Sequence, residues 1–286
     1  MKKIKYLLFS SIFLLNSCKT IDYKRTIFTS FYPIYDFTKR IVGDKYEVKN
    51  LTQAGSEPHD FEPTARSIGG LIESPALLIN GLGLDCWTDS LPDDLSKKTY
   101  VVTNNIDTLK VDNVTDPHVW LSVSNAIKEM KNILDIIISI DPNNKDYYVS
   151  NYETEITKFE ELDEEYKEKL SNVSNKYLVV SHAAFGYLCS EYGLTQLYLS
   201  GLEPDSTPTA KTREKIVEAV KEYNITTIFY EELVGPDIAN AIKEETGVKT
   251  NTLNPLEGLT EEEMKSQDYI SVMKDNLNKI VEALND

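Results

Sequence analysis

Ala76-Leu77-Leu78-Ile79-Asn80 is a continuous apolar run cut off by Gly81 and Gly83. A run this short, without polar alternation, reads as a strand buried on both faces of a parallel sheet. Parallel strands need crossover connections, usually helices, so the chain on either side must alternate strand with helix. Residues 26–30 are strand-like, and Tyr32-Pro33-Ile34 opens a helix to about Ile41 that ends at Gly43. Residues 46–51 alternate like a second strand, Thr64 is placed to cap a helix running to Glu73, and residues 99–103 give a fourth strand. Ser122 then caps an amphipathic helix with Ala126, Ile127, Met130, Ile133, Leu134 and Ile137 on its inner face, stopped by Asp141-Pro142.

The second half repeats this order without repeating the sequence. Strands are read at residues 177–181, 194–199, 226–230 and 248–253, and helices at 210–223, 237–246 and 268–284, with a helix carrying Phe185, Leu188 and Cys189 beginning at His182. Between the halves, residues 145–170 are highly charged, and Tyr148, Tyr152, Ile156, Phe159, Leu162, Tyr166 and Leu170 step by three or four. One long helix with a narrow apolar stripe and a solvated face has that pattern. A coiled coil is the rival, but the stripe is too short and too aromatic. The expected fold class is α/β: two Rossmann-like (βα)4 lobes with parallel sheets, joined by one long spanning helix, with a cleft between them. The corresponding segments are a signal peptide at 1–17, a tether at 18–24, an N-terminal lobe at 25–141, a linking helix at 142–174 and a C-terminal lobe at 175–286.

Residues 1–18 have a basic start, a short apolar run and a small residue before Cys18, which makes a secretory signal too short to span a bilayer comfortably. With 46 acidic against 30 basic residues the formal charge is −16, and loss of Lys2, Lys3 and Lys5 with the signal makes it more negative. That excludes a basic nucleic-acid face and fits a solvated extracytoplasmic protein. Cys86 and Cys189 lie far apart and not in a Cys-x-x-Cys spacing, so two separate buried thiols are at least as good a reading as a pair.

The chain holds only three histidines, in Glu57-Pro58-His59-Asp60-Phe61-Glu62-Pro63, in Asp116-Pro117-His118-Val119-Trp120 and in Val179-Val180-Ser181-His182. Each follows or closes a strand-to-helix loop, and such loops lie at the carboxyl ends of strands, where open α/β sheets bind ligands. Three imidazoles and one carboxylate complete a tetrahedral zinc site, with nitrogen ligands at about 2.0–2.1 Å. Glu257, in the exit loop of the last strand, is the expected oxygen donor, and Glu231, Glu232 and Asp205 near other strand exits are its substitutes. Imidazole suits zinc, whereas manganese favours carboxylate and water.

The first two motifs and the His182 strand exit resemble those of metal-binding ABC-transporter solute-binding lipoproteins, the zinc and manganese uptake family also called cluster A-I. The resemblance covers the whole processed chain. It implies His59, His118, His182 and Glu257 as ligands, of the zinc-type branch, since manganese binders tend to carry Glu and Asp at the last two positions. Leu15-Asn16-Ser17-Cys18 resembles the lipobox, with Asn16 where a small residue is usual, and implies lipidation of Cys18. The implied function is a lipid-anchored, extracytoplasmic, monomeric receptor that delivers Zn2+ to an ABC permease in the bacterial membrane, with no enzymatic activity. The alternatives are a manganese or iron receptor of the same family, an adhesin, and a zinc hydrolase in which Glu257 serves as base beside three histidines and a water. Gly81 to Lys110 contains no histidine, so the long His-rich loop of many zinc members is absent.

Overall fold

A computed structural model describes residues 22–204, 206–231 and 235–286; the signal segment, Cys18, Asp205 and Glu232 lie outside the described residues. The first half contributes β1 (Thr26–Thr29), α1 (Tyr32–Val42), β2 (Glu47–Asn50), α2 (Ala65–Glu73), β3 (Ala76–Ile79), α3 (Asp93–Ser96), β4 (Thr99–Val101), β5 (Lys110–Val111), β6 (Val114–Thr115) and α4 (Val123–Ile140). Then come α5 (Lys145–Ser171), β7 (Tyr177–His182), α6 (Gly186–Glu191), β8 (Thr195–Ser200), α7 (Ala210–Glu222), β9 (Thr227–Tyr230), α8 (Asp237–Thr246), β10 (Lys249–Thr252), α9 (Glu263–Ser266) and α10 (Tyr269–Asn285).

The caps fall where the sequence puts them. Thr64 accepts from Ser67 N, Ser122 from Asn125 N and Asp268 from Ser271 N, each side chain satisfying an amide that the first helical turn leaves free. Gly43, at φ +54 and ψ −123, ends α1 in a backbone conformation that glycine adopts freely and other residues do not.

Two four-stranded sheets result, ordered β2-β1-β3-β4 and β10-β9-β7-β8, and all their neighbouring pairs are parallel. Counted from its own first strand, each sheet has the same order, so the (βα)4 expectation holds for both. As the apolar run required, β3 is buried along its whole length, and so is β1 beside it. The order reverses between β1 and β3 and again between β7 and β9, and the crevices at these reversals open at the carboxyl ends of the strands.

The short helices α3 and α9 and one hairpin have no counterpart in the sequence reading. β5 and β6 form an antiparallel hairpin, turning at Asp112 and Asn113 with φ of +50 and +69, the left-handed pair that a two-residue hairpin turn demands.

One large apolar core runs through both halves, with a smaller cluster inside each. Phe31, Phe37, Trp120, Phe159, Tyr166, Phe185, Tyr269 and Leu277 are all buried in the large core. The stripe foreseen on α5 supplies its centre: Tyr148, Phe159, Leu162, Tyr166 and Leu170 are buried. Phe159 stacks on Tyr269 of α10 at 5.1 Å, and Phe37 of α1 meets both rings edge-on. The long helix is therefore packed into both lobes along one side, and ion pairs such as Lys167 with Asp163 and Lys169 with Glu165 flank that stripe.

One buried group sits badly in that core. Glu129 of α4 is fully buried, and neither carboxylate oxygen has a hydrogen-bond partner among the described residues. Burial pushes its carboxyl up to about 8, so the native state holds a proton there that the unfolded chain releases near pH 4.3. The group thus costs more stability as pH rises from the unfolded value toward 8. Glu129→Met is expected to stabilise the fold by about 1–3 kcal/mol, with a larger rise in melting temperature at pH 8.5 than at pH 5. A lower melting temperature at both values would show that the carboxyl has a native partner.

Candidate metal centre

Three loops and the last residue of a strand bring the predicted side chains to one point. His59 follows β2 in a segment stiffened by Pro58 and Pro63, and its own amide donates to Glu57 Oε1 at 3.2 Å. His118 follows the hairpin. Asp116 turns back on the backbone two residues ahead, accepting from His118 N at 2.9 Å and pairing with His118 Nδ1 at 2.7 Å through the same oxygen. His182 is the last residue of β7, a strand that pairs with β9 through Val180 and Phe229. Two residues on, that register sets His182 beside Glu231, whose Oε1 takes the His182 Nδ1 contact and also accepts from Ser181 Oγ at 3.3 Å.

Glu257 comes from the loop after β10, and that loop is over-determined. Leu256 stands at φ +62, a region an aliphatic residue occupies only under constraint. Its amide donates to Asn254 Oδ1 at 2.8 Å, and Asn276 of α10 grips the Asn254 backbone on both sides, at 3.0 and 2.7 Å. Trp120 Nε1 donates to Pro255 O at 2.7 Å, and Tyr269 Oη donates to Trp120 O at 2.7 Å. The His118 loop and the Glu257 loop, one from each half, are thus fastened together beside the pocket.

The ligating atoms of His59, His118, His182 and Glu257 all lie within 4.8 Å of one another. His118 Nε2 is 3.2 Å from His59 Nε2 and 3.3 Å from His182 Nε2. Glu257 Oε1 is 2.8, 3.2 and 3.6 Å from the Nε2 atoms of His118, His59 and His182. A tetrahedral zinc ion with bonds of about 2.0–2.1 Å spaces its ligands by about 3.3 Å, so the observed separations bracket the required edge. Where a carboxylate holds the Nδ1 proton, as for His118 and His182, Nε2 is left with a lone pair. Lone pairs of nitrogen and oxygen then converge on a buried point, which is stable only with a cation or a proton between them.

The electrostatics follow. Burial alone would lower the His118 and His182 imidazoles, but Asp116 and Glu257 for the first, and Glu231 and Glu257 for the second, outweigh it and raise both. Burial would likewise raise the Glu257 carboxyl, yet the three histidines hold it well below the carboxylate range. Glu57, at the edge of the group, is pushed up to about 8 by burial and then by the negative charge of Glu257. His59 is the most exposed of the four, with 12% of its side chain open, so the group meets solvent on that side.

All four residues expected from the sequence meet here. Glu231, kept as a substitute oxygen donor, stands behind His182 and faces its far nitrogen. Asp116 was passed over as a motif residue, although an aspartate two positions before a histidine, with proline between, is itself the signal of a side chain folded onto that histidine. Cys86 is exposed and Cys189 buried, and both are free thiols.

Two parallel-sheet lobes thus set their strand ends around a buried polar pocket, the place where open α/β sheets hold ligands. The family model described as zinc-uptake complex component A, periplasmic (ZnuA) matches residues 27–283, and the chain belongs to that family. It is 36% identical to the high-affinity zinc uptake system protein ZnuA of Bacillus subtilis strain 168, across 91% of this chain and 88% of that protein. It is 38% identical to the zinc-binding lipoprotein AdcA of Streptococcus pneumoniae strain R6, across 98% of this chain but only 60% of the relative's length. The Zn(II)-bound ZnuA-like domain of Streptococcus pneumoniae AdcA superposes with a TM-score of 0.82 at 39% identity, covering 92% of this chain and all of that one.

Proposed function

We propose that this protein is an extracytoplasmic zinc receptor that captures Zn2+ between its lobes through His59, His118, His182 and Glu257 and delivers it to an ABC permease. The observation that carries this reading is the near-tetrahedral set of three imidazole nitrogens and one carboxylate oxygen, spaced for one small ion. Three nitrogens favour zinc over manganese. Four protein ligands leave no open position for the water that a zinc hydrolase needs, so the protein binds and releases without making or breaking a bond. The family membership and the zinc-binding names of the relatives support the same assignment.

Within this reading, residues 1–17 are a signal, Cys18 carries lipid, 18–24 form a tether, and the lobes at 25–141 and 175–286 act as one monomer about the linking segment 142–174. Acyl chains hold a protein at a membrane surface without spanning it, and no described helix is long and apolar enough to cross a membrane. The core shared across α4, α5 and α10 favours a small closure over a wide hinge.

Metal analysis of the purified protein, with anomalous diffraction above and below the zinc edge, tests the reading: one zinc ion on these four side chains is expected, and a metal elsewhere or a water-ligated ion overturns it. The ligands must be neutral imidazoles and an ionised carboxyl. Because His118 and His182 take up protons above the usual imidazole range, zinc affinity is expected to fall continuously from pH 8 to pH 5.5, with weakening already present above pH 6.5. Isothermal titration in two buffers of different ionisation heat reads the protons released on binding. An affinity flat across that range would remove the histidines from the site.

A further inference from the structure

Gly186, the first residue of α6, has a helical backbone, φ −58 and ψ −47, so no left-handed conformation explains glycine there, and alanine is the better helix former. Space explains it. A Cβ at this position would lie 2.9 Å from Asp116 Oδ2, with Gln196 Nε2 at 3.6 Å and Leu109 Cδ1 at 3.8 Å.

Asp116 has nowhere to go. It is fully buried, its other oxygen is committed to His118 N and Nδ1, and its backbone is held by Leu109 O at 3.0 Å. Tyr187, the residue after Gly186, donates its hydroxyl to Asp116 O at 2.7 Å and accepts from Leu109 N at 3.0 Å. The second half of the chain therefore grips the Asp116 backbone while its glycine lets the carboxylate approach. Only three residues separate Gly186 from His182, so the same short segment carries one proposed ligand and abuts the support of another.

We propose that Gly186 is a positioning residue for zinc binding: by leaving room for the Asp116 carboxylate it fixes the orientation of His118, and it makes that orientation depend on how the two halves sit against each other. This rests on the four-ligand zinc reading above.

The test is zinc affinity, by competition with a fluorescent chelator, together with the visible d–d spectrum of the Co2+-loaded protein, for Gly186→Ala, Asp116→Ala and the double variant. Gly186→Ala is expected to weaken zinc binding by about 10–100-fold, the range seen when a ligand's supporting partner is lost, and to change the cobalt bands. Gly69→Ala, where nothing lies within 4 Å of the added carbon, is expected to leave both unchanged. With Asp116 shortened the new methyl has room, so the double variant should bind no more weakly than Asp116→Ala alone. If Gly186→Ala does not fold, Asp116→Ala in the same chain must restore folding. Gly186→Ala binding within twofold of wild type, a further loss in the double variant, or failure of the double variant to fold overturns the proposal. Failure of the wild type to bind zinc instead overturns the four-ligand reading.

Discussion

His118→Ala is expected to lower zinc affinity by more than about a hundredfold, since loss of a supporting partner alone costs about 10–100-fold and this change removes a ligand itself. The loss should not be confined to the metal-bound form. His118 is fully buried between Asp116 and Glu257, which are 0% and 1% exposed, and its raised imidazole is the positive partner of both in the metal-free protein. Taking it away strips buried Asp116 of its counter-ion and leaves Glu257 to His59 and His182, and removing one partner of a buried pair costs about 3–5 kcal/mol. The sign of the pH effect follows: a group whose folded pKa is raised stabilises below its unfolded value and loses that contribution as pH rises through the folded one. The metal-free variant should therefore fall furthest below wild type at acid to neutral pH and converge with it at higher pH. His59→Ala supplies the contrast. Its imidazole is partly exposed and, among the described residues, no buried carboxylate holds its far nitrogen, so it should lose zinc affinity with little change in the melting temperature of the metal-free protein. Equal destabilisation by the two variants would mean that the charges around His118 are not balanced as described. Unchanged zinc affinity in either would remove that residue from the ligand set.

The parts of this architecture that sequence exposes are those with a periodic or chemical signature. β3 is legible because an apolar run without alternation has one stable home, and α5 because its stripe repeats for six steps. The four proposed ligands are legible because histidines are scarce and every one sits at a strand exit. The hairpin of β5 and β6 is harder, since two-residue strands have no period. Its Asp112-Asn113 turn between Val111 and Val114 is a readable signal in retrospect. What no local pattern carries is contact across the cleft. The pairing of Glu231 with His182 depends on the β7–β9 register, and the approach of Gly186 to Asp116 depends on the packing of one half on the other. The shared core has the same origin: Trp120, Phe159 and Tyr269 each read as ordinary inward-facing residues until the fold places them together.

That dependence on packing gives Arg40 its importance. Its guanidinium sits where three helices meet: Nε contacts Asp36 of α1 at 2.7 Å, Nη1 contacts Glu155 of α5 at 2.6 Å, and Nη2 contacts Asp268, the cap of α10, at 2.8 Å. The guanidinium also lies over the Phe159 ring at 5.6 Å, so it is held by the shared core as well as by charge. Burial raises the Asp36 carboxyl even with Arg40 beside it, so this acid depends on the arginine more than the others do. Glu155 and Asp268, more exposed or better hydrogen-bonded, remain lowered despite their own burial. Arg40→Met keeps the stem and removes the fork, leaving Asp36 buried without a counter-ion. A loss of about 3–5 kcal/mol is expected, which in a chain of this size lowers the melting temperature by roughly 10 °C. Arg40→Lys should recover only part of it, because an ammonium cannot reach three carboxylates in three directions. Asp36→Asn in the Arg40→Met background should restore stability, because it removes the stranded charge. If the clamp acts only through the scaffold, zinc affinity of the folded variant stays near wild type. A melting temperature within 2 °C of wild type would show that water compensates Asp36 and that the aromatic packing alone holds the three helices together.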